Sequence, residues 1–217
     1  MKHPPIPTRC ASQQQGFTLA ELLVVVVIVG LTTAWSLPNI QRNLAQAKVD
    51  RYWRNVETGL FNLRARMGAF KGSCEIDFSV RESFALNSFV APEALLESLQ
   101  ADGSRTADDV LAECRQRFVG DAGVNENALR LVNLEGTSER DAVEVATRTQ
   151  TFFFTPPGTT SNDLDMVLLI RSRQANASWA LNENGDSRLR TRCVEVTGNG
   201  QVFAGTWSDS NNQCASR

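Results

Sequence analysis

The chain has 217 residues, 42% of them hydrophobic and 21% charged, which is enough for one membrane segment and one globular head but hardly for two large domains. Its formal charge of -2 is unevenly spread, because residues 17–72 hold seven Lys and Arg against three Asp and Glu, while residues 73–217 hold thirteen Arg against twenty-one Asp and Glu. The acidic second part argues against a head that binds nucleic acid over its whole surface, since such binding requires neutralisation of phosphates.

The first predicted element is a leader of residues 1–16, with the sequence MKHPPIPTRCASQQQG. It carries Lys2 and Arg9 but no acidic residue, and its Pro and Gln content gives no helical pattern, which is typical of a cytoplasmic flank. The single histidine, His3, lies here, so Ser-His, Cys-His and His-metal chemistry lack their usual participant elsewhere. No spacing among the Asp and Glu residues indicates carboxylate catalysis, and we expect no enzyme, no catalytic residue, no metal site and no cofactor.

An apolar run follows from Phe17 to Leu37. At about 1.5 Å per residue, a helix of these 21 residues spans roughly the 30 Å hydrocarbon core of a bilayer. The run therefore predicts a transmembrane helix over residues 17–37. Glu21 lies near its start, and a charge at membrane depth costs on the order of 3 kcal/mol, so this carboxylate requires a partner.

Two simpler interpretations of the run leave Glu21 unexplained. A secretory signal peptide would be cut at the small-residue site after Ala34, but its apolar region is usually about 7 to 15 residues long and has no use for a carboxylate at its start. A plain membrane anchor would account for the apolar residues alone.

The segment GFTLAELLVVVVIVG, residues 16–30, resembles the N-terminal signature of type IV prepilins and type II secretion pseudopilins. In that family a prepilin peptidase cuts after a Gly, the new N-terminal residue (usually Phe) is methylated, and a Glu stands five residues into the mature chain. Gly16, Phe17 and Glu21 match these positions, while Ala20 stands where Ile is more common. The resemblance implies that Glu21 pairs with the Phe17 amine of a neighbouring subunit during filament assembly.

Residues 38–72 predict an amphipathic continuation of this helix. Pro38 falls where many pilins have a helix-kinking proline, and it permits a bend without ending the helix. Gly68 and Gly72 mark where the helix weakens and stops. Apolar residues recur at alternating steps of four and three, which predicts one face buried against the head. These residues are Val49, Trp53, Val56, Leu60, Leu63, Met67 and Phe70.

Residues 73–217 predict a globular α+β head. Short helices are indicated from Pro92 in PEALLESLQ, and after Thr106 and Asp109, which form a capping-box-like pattern. Four antiparallel strands are predicted in VEVATRTQTFFF, LDMVLLIRSR, SRLRTRCVEV and QVFAGTW, with TGNGQ as the strongest hairpin signal. A long N-terminal helix packed on an antiparallel sheet is also the pilin-like fold that the resemblance implies.

Four of the five cysteines follow the apolar run, and none forms a C-x-x-C pair. This pattern suits two disulfides in an oxidising compartment better than a zinc site. Three pairings are possible, and we favour Cys193 with Cys214, which bracket the predicted hairpin and tail, and by elimination Cys74 with Cys114. Buried free thiols in a cytosolic protein are the alternative.

Five arginines suggest a possible anion-binding patch. In a strand, Arg188, Arg190 and Arg192 would share one face, and Arg171 and Arg173 would do so on the preceding strand. If the strands are neighbours, the five guanidinium groups could bind phosphate, although a solvated face partly neutralised by acidic residues is the favoured interpretation.

The ending RCVEVTGNGQVFAGTW looks like the final hairpin of the FimT and GspH type of minor pilins. We therefore expect a non-enzymatic pilin-like subunit, more minor than major, inserted in the inner membrane with its head in the periplasm and later part of a periplasmic or extracellular filament. The implied partners are other pilin or pseudopilin subunits, the prepilin peptidase, the inner-membrane assembly machinery and membrane lipid. A type II secretion minor pseudopilin and a DNA-uptake adaptor at a pilus tip are the alternatives.

Overall fold

The computed structural model describes residues 17–81, 84–97, 109–118, 129–133, 139–155, 159–160 and 165–216. These residues include two α-helices, α1 (Leu19–Phe70) and α2 (Ala112–Phe118). They also include eight strands: β1 (Cys74–Asp77), β2 (Val143–Thr147), β3 (Thr151–Thr155), β4 (Thr159–Thr160), β5 (Met166–Ser172), β6 (Arg192–Val196), β7 (Val202–Ser208) and β8 (Gln213–Ser216). The predicted α+β class, with a long N-terminal helix and antiparallel sheets, is confirmed.

The chain forms two compact units, Met1–Asn39 and Ile40–Arg217. The described part of the first unit consists almost entirely of the apolar first part of α1. The second unit contains the remainder of α1, both sheets and α2. Pro38 lies inside α1, and a bend at this position stays a prediction.

Within the second unit, the apolar stripe of α1 is buried as its spacing predicts. Six of the seven predicted positions are at most 2% exposed: Val49, Trp53, Val56, Leu60, Leu63 and Met67. Tyr52 is also fully buried, which widens the stripe beyond the predicted positions. The helix continues through Gly68 and ends at Phe70, where Lys71 adopts a positive φ of 52°.

Two antiparallel sheets complete the core. The larger has the strand order β2-β5-β6-β7-β8, and the smaller has the order β1-β3-β4. Alternate residues of the central strands, including Leu168, Ile170 and Val194, belong to the same buried cluster as the α1 stripe. The indole Nε1 of Trp53 donates a 2.8 Å hydrogen bond to the carbonyl of Cys193, so the helix is tied to β6 by a polar contact as well as by packing.

The strand prediction for residues 143–154 is wrong in one respect. This segment forms two strands in different sheets, since β2 pairs with β5 while β3 pairs with β1 and β4. Thr147 and Thr149 form the break, because the Thr147 hydroxyl donates to the Thr149 carbonyl and accepts from the Thr149 amide. Such local side-chain bonds compete with a continuous strand ladder.

The hairpin predicted at TGNGQ is confirmed. β6 and β7 pair from Arg192 with Thr206 to Val196 with Val202, and Gly200 adopts the positive φ of 76° that the turn requires. β8 then returns along β7. Gly205 permits this close approach, because a Cβ there would lie 2.1 Å from the Ala215 carbonyl oxygen.

The first part of the head differs from the predicted helices. Pro92–Ala94 forms only a 3-10 turn, and α2 begins at Ala112, three residues after Asp109. The predicted cap Thr106 lies outside the described residues. Asp109 instead accepts a hydrogen bond from the Leu111 amide and pairs with Arg115.

Both favoured disulfides are present. Cys74 of β1 is bonded to Cys114 of α2, and Cys193 of β6 is bonded to Cys214 of β8. Each bond therefore joins two elements of the head that are distant in sequence.

Candidate membrane and assembly site

The start of α1 is organised by Thr18 and Glu21. One Glu21 carboxylate oxygen accepts hydrogen bonds from the Thr18 amide at 2.8 Å and the Thr18 hydroxyl at 2.9 Å. The Glu21 amide in turn donates to the Thr18 hydroxyl at 3.2 Å. This reciprocal arrangement is a capping box, which satisfies backbone donors at a helix start that have no partner within the helix.

Glu21 therefore has a structural task within its own chain that our sequence interpretation missed. The available signal was Thr-x-x-Glu directly before an apolar run, which is the sequence pattern of a capping box. The box also fixes the position of the carboxylate, which is exposed in the first turn of α1.

The apolar part of α1 is exposed along its whole described length. Phe17 is 85% exposed, and the Leu, Val and Ile residues from Leu19 to Leu31 are at least half exposed. This part of α1 is long and apolar enough to cross a membrane by length and composition, with a mean hydropathy of 2.1. A surface of this kind requires lipid or neighbouring helices to cover it.

The hydroxyl groups within this segment bond to their own helix. Thr33 donates to the Val29 carbonyl at 2.7 Å, and Ser36 donates to the Thr32 carbonyl at 2.9 Å. Thr32 likewise donates to carbonyls of the preceding turn. The segment thus presents few unsatisfied polar groups, as an apolar environment requires. Gly16, the predicted cleavage position, lies outside the described residues.

The five predicted anion-binding arginines do not form one patch. Arg192 faces α1, where it is 7% exposed, binds Asp50 at 2.7 Å and lies over the Trp53 ring. Arg171 points to the opposite face of the sheet, where it binds Glu144 at 3.0 Å and lies over Phe89.

The remaining three arginines lie outside strands. Arg188 and Arg190 precede β6, which begins only at Arg192, and Arg173 follows β5. The alternation that would place them on one face is therefore absent. The prediction of a five-arginine patch is wrong because two members are paired on opposite faces and three are not in the sheet.

The Arg192 contact has an electrostatic consequence for Asp50. Burial by itself would raise the pKa of Asp50, but hydrogen bonds from Arg192 and Gln46 and the charges of Arg192 and Arg54 hold the pKa below its ordinary value of 3.8. The carboxylate thus stays charged and holds the sheet against α1. Sequence spacing carried no signal for this pair, which is separated by 142 residues.

A second polar contact joins α1 to the segment that follows the 3-10 turn Pro92–Ala94. The buried Tyr52 hydroxyl donates to Glu97 at 3.0 Å, and Arg140 lies 3.6 Å from the same carboxylate. Burial raises the pKa of Glu97 above 4.5, although the Tyr52 bond and the Arg140 charge act in the opposite direction.

Comparison with known proteins concerns the N-terminal part of the chain. Residues 11–37 match the prokaryotic N-terminal methylation motif. Over 39 residues the chain is 44% identical to the fimbrial protein EcpB of Eikenella corrodens, and this alignment covers 18% of the chain and 24% of that protein. The chain thus spans about a quarter of the length of the curated relative it matches. No solved structure matches the chain.

The α+β architecture with a long apolar N-terminal helix, together with this motif, resembles that of type IV pilins. The matched motif includes Gly16, Phe17 and Glu21. This N-terminal likeness gives no information about the molecules that the head contacts.

Proposed function

We propose that this protein is a minor pilin, a non-enzymatic structural subunit of a type IV pilus-like filament. In this proposal the precursor lies in the inner membrane with its head in the periplasm. A prepilin peptidase removes residues 1–16, Phe17 is methylated, and the assembly machinery moves the subunit into a filament. The observation that carries the proposal is an exposed apolar helix that starts beside Phe17, holds Glu21 in its first turn and matches the methylation motif.

The assembly step follows from the chemistry of the new N-terminus. Cleavage after Gly16 creates an α-amine on Phe17, and in a low-dielectric bundle a charged amine requires a counter-ion. Glu21 supplies one from a neighbouring subunit. The exposed position of its carboxylate supports an intermolecular contact, since the side chain is not enclosed by its own chain.

The size of the head and its two disulfides favour the role of a minor subunit. A type II secretion pseudopilin is the second candidate, because the methylation motif and the apolar helix suit it equally well. The DNA-uptake adaptor rested on the predicted arginine patch. It is less well supported, because Arg171 and Arg192 bind carboxylates within the head.

Identification of the mature N-terminal residue tests the proposal. In cells that contain a prepilin peptidase, mass spectrometry of the membrane protein should find a methylated Phe17. Replacement of Gly16 by a bulky residue, Gly16→Leu, should leave the longer precursor in the membrane, while Ala11→Leu, a matched change within the leader, should be processed normally. Cleavage after Ala34 would contradict the proposal and establish a secretory signal peptide.

A further inference from the structure

A groove of about 470 Å³ opens on the surface of the second unit. One wall is the α1 segment that begins at Gln41, and the others come from the turn before β2, the end of β5 and the loop that follows it. The lining residues are Gln41, Leu44, Ala45, Lys48, Asp141, Ala142, Ser172, Arg173, Gln174 and Trp179.

Within the described part of the chain, two cations of the groove have no bound counter-ion. Lys48 and Arg173 are exposed, and among the described residues neither side chain takes part in a salt bridge or hydrogen bond. This differs from Arg171 and Arg192 of the same head, whose guanidinium groups bind carboxylates. An ammonium and a guanidinium group in one groove provide a site for a phosphate group.

The same groove offers apolar and aromatic surface. Leu44 is 59% exposed, and Trp179 is half-buried against a small cluster that includes Ala45 and Leu189. The Trp179 carbonyl accepts a 2.8 Å hydrogen bond from Arg42, which holds the tryptophan loop against α1. Tryptophan beside lysine and arginine is typical of the boundary between a membrane and water.

The groove also contains groups that bind hydroxyls. The Asp141 carboxylate and the amides of Gln41 and Gln174 lie among the lining residues. Asp141 reduces the net positive charge, which disfavours a ligand that carries phosphate alone. It suits a head group in which hydroxyls accompany the phosphate, because a carboxylate accepts hydrogen bonds from hydroxyls.

From these features we infer that the groove binds the phosphoglycerol head group of an anionic membrane phospholipid. The inference rests on the proposed function for the membrane itself, since Gln41 follows only four residues after the end of the apolar run at Leu37. An acidic segment of a neighbouring protein would satisfy Lys48 and Arg173, but it would not account for the exposed Leu44 and the tryptophan. A phospholipid therefore accounts for more of the lining residues than an acidic protein segment does.

Native mass spectrometry of the purified full-length chain tests this inference. The protein in detergent is mixed with equal amounts of phosphatidylglycerol and phosphatidylcholine, and the bound lipids are counted. The wild type should retain phosphatidylglycerol in preference. K48Q/R173Q should lower this preference about tenfold, because each basic residue near a membrane surface contributes to anionic lipid binding. The single variants should give intermediate values.

The matched control is R64Q/R66Q, which removes the same charge from α1 at a distance of about 25 Å along the helix from Lys48. It should bind phosphatidylglycerol as the wild type does. Equal losses in both double variants, or no loss in K48Q/R173Q, would overturn the inference. Displacement of the lipid by inorganic phosphate would also overturn it, because the site would then recognise free phosphate.

Two further measurements distinguish a failure of the lipid inference from a failure of the proposed function. A photo-reactive residue at position 174 should cross-link to lipid in cells, and a cross-link to a protein would overturn the lipid assignment. Alkaline extraction of membranes tests the anchor independently. A chain that resists extraction but shows no phosphatidylglycerol preference would refute the lipid groove alone, whereas a chain that is extracted would refute the proposed membrane subunit. Intact disulfides and an unchanged unfolding temperature would show that the variants are folded.

Discussion

At the scale of single residues, the proposed function gives Glu21 two physical tasks. Its carboxylate accepts two hydrogen bonds from Thr18 in the capping box, and in the proposed filament its charge pairs with a neighbouring subunit. The two tasks respond differently to substitution, since glutamine can act as the third residue of a capping box but carries no charge.

The first prediction for this residue uses that difference. Glu21→Gln should keep the helix start, membrane insertion and cleavage at Gly16, while incorporation into filaments should fall at least about tenfold, equivalent to about 1.4 kcal/mol. The matched variant Thr18→Ala loses the cap, at a cost of about 1 kcal/mol, but keeps the charge, so its incorporation should fall less. The measurement is the share of each variant in sheared filaments relative to its membrane level. Normal incorporation of Glu21→Gln would show that the charge is not used in assembly.

The Glu97 carboxylate provides a pH-dependent prediction. Because its pKa is raised above 4.5 in the folded protein, the native state binds more protons than the unfolded state just above this pH. The contribution of Glu97 to stability is therefore full below about pH 4.5 and decreases as pH rises through the raised pKa. Glu97→Gln keeps an acceptor for Tyr52 and removes the charge, so the variant should gain stability relative to wild type as pH rises.

Thermal unfolding in detergent between about pH 4 and pH 7 measures this difference. A stability difference for Glu97→Gln that is independent of pH would contradict the assigned burial effect.

At the scale of secondary-structure elements, the head is held together by contacts between segments that are far apart in sequence. Gly59 of α1 lets the 129–133 segment approach closely, because a Cβ there would lie 2.3 Å from the Leu131 carbonyl oxygen. The Asn133 amide then donates to the Asn55 carbonyl of the helix at 3.0 Å. β8, at the end of the chain, is held by its ladder to β7 and by the Cys193–Cys214 disulfide.

This disulfide gives a prediction for β8. The bond joins residues 21 positions apart, and on the chain-entropy model such a loop closure stabilises the folded state by about 3 kcal/mol. C193S/C214S should therefore lower the free energy of unfolding by roughly that amount, with hydrogen exchange increased first in β8. C74S/C114S is the comparison, and its longer loop predicts a loss of about 4 kcal/mol without faster exchange in β8. Exchange in β8 equal to that of wild type would show that the β7 ladder alone holds the strand.

At the scale of the whole molecule, the chain combines an apolar helix that requires a cover with a disulfide-bonded head that has its own core. The apolar side chains of the first unit are exposed and require lipid or neighbouring helices, whereas most of those in the second unit are buried in its core. A subunit of this kind can leave the membrane only by exchanging lipid for neighbouring helices, which is what the proposed filament supplies.

The minor role predicts a low copy number. In sheared filaments, quantitative mass spectrometry should find this chain at a small fraction of the level of the most abundant pilin, because a minor subunit occupies few positions in the filament. The membrane fraction of the same cells provides the reference level. A chain that forms the bulk of the filament would contradict the minor role while leaving the assembly mechanism intact.

The sequence by itself determined the features that depend on neighbouring residues. The apolar run and the amphipathic stripe from Val49 to Met67 follow from composition and periodicity within one segment, and the TGNGQ hairpin follows from local turn chemistry. The capping box of Thr18 and Glu21 is also encoded locally, as Thr-x-x-Glu directly before an apolar run.

Only the tertiary structure decided which partners the polar side chains of the head bind. Arg171 and Arg192 look equivalent in sequence, yet one binds Glu144 on the outer face while the other binds Asp50 of α1. The division of residues 143–154 between two sheets and the Tyr52–Glu97 contact are of the same kind. The physical reason is that a charged side chain can be buried only beside a group of opposite charge or a hydrogen-bond partner. That partner comes close only when segments distant in sequence pack together.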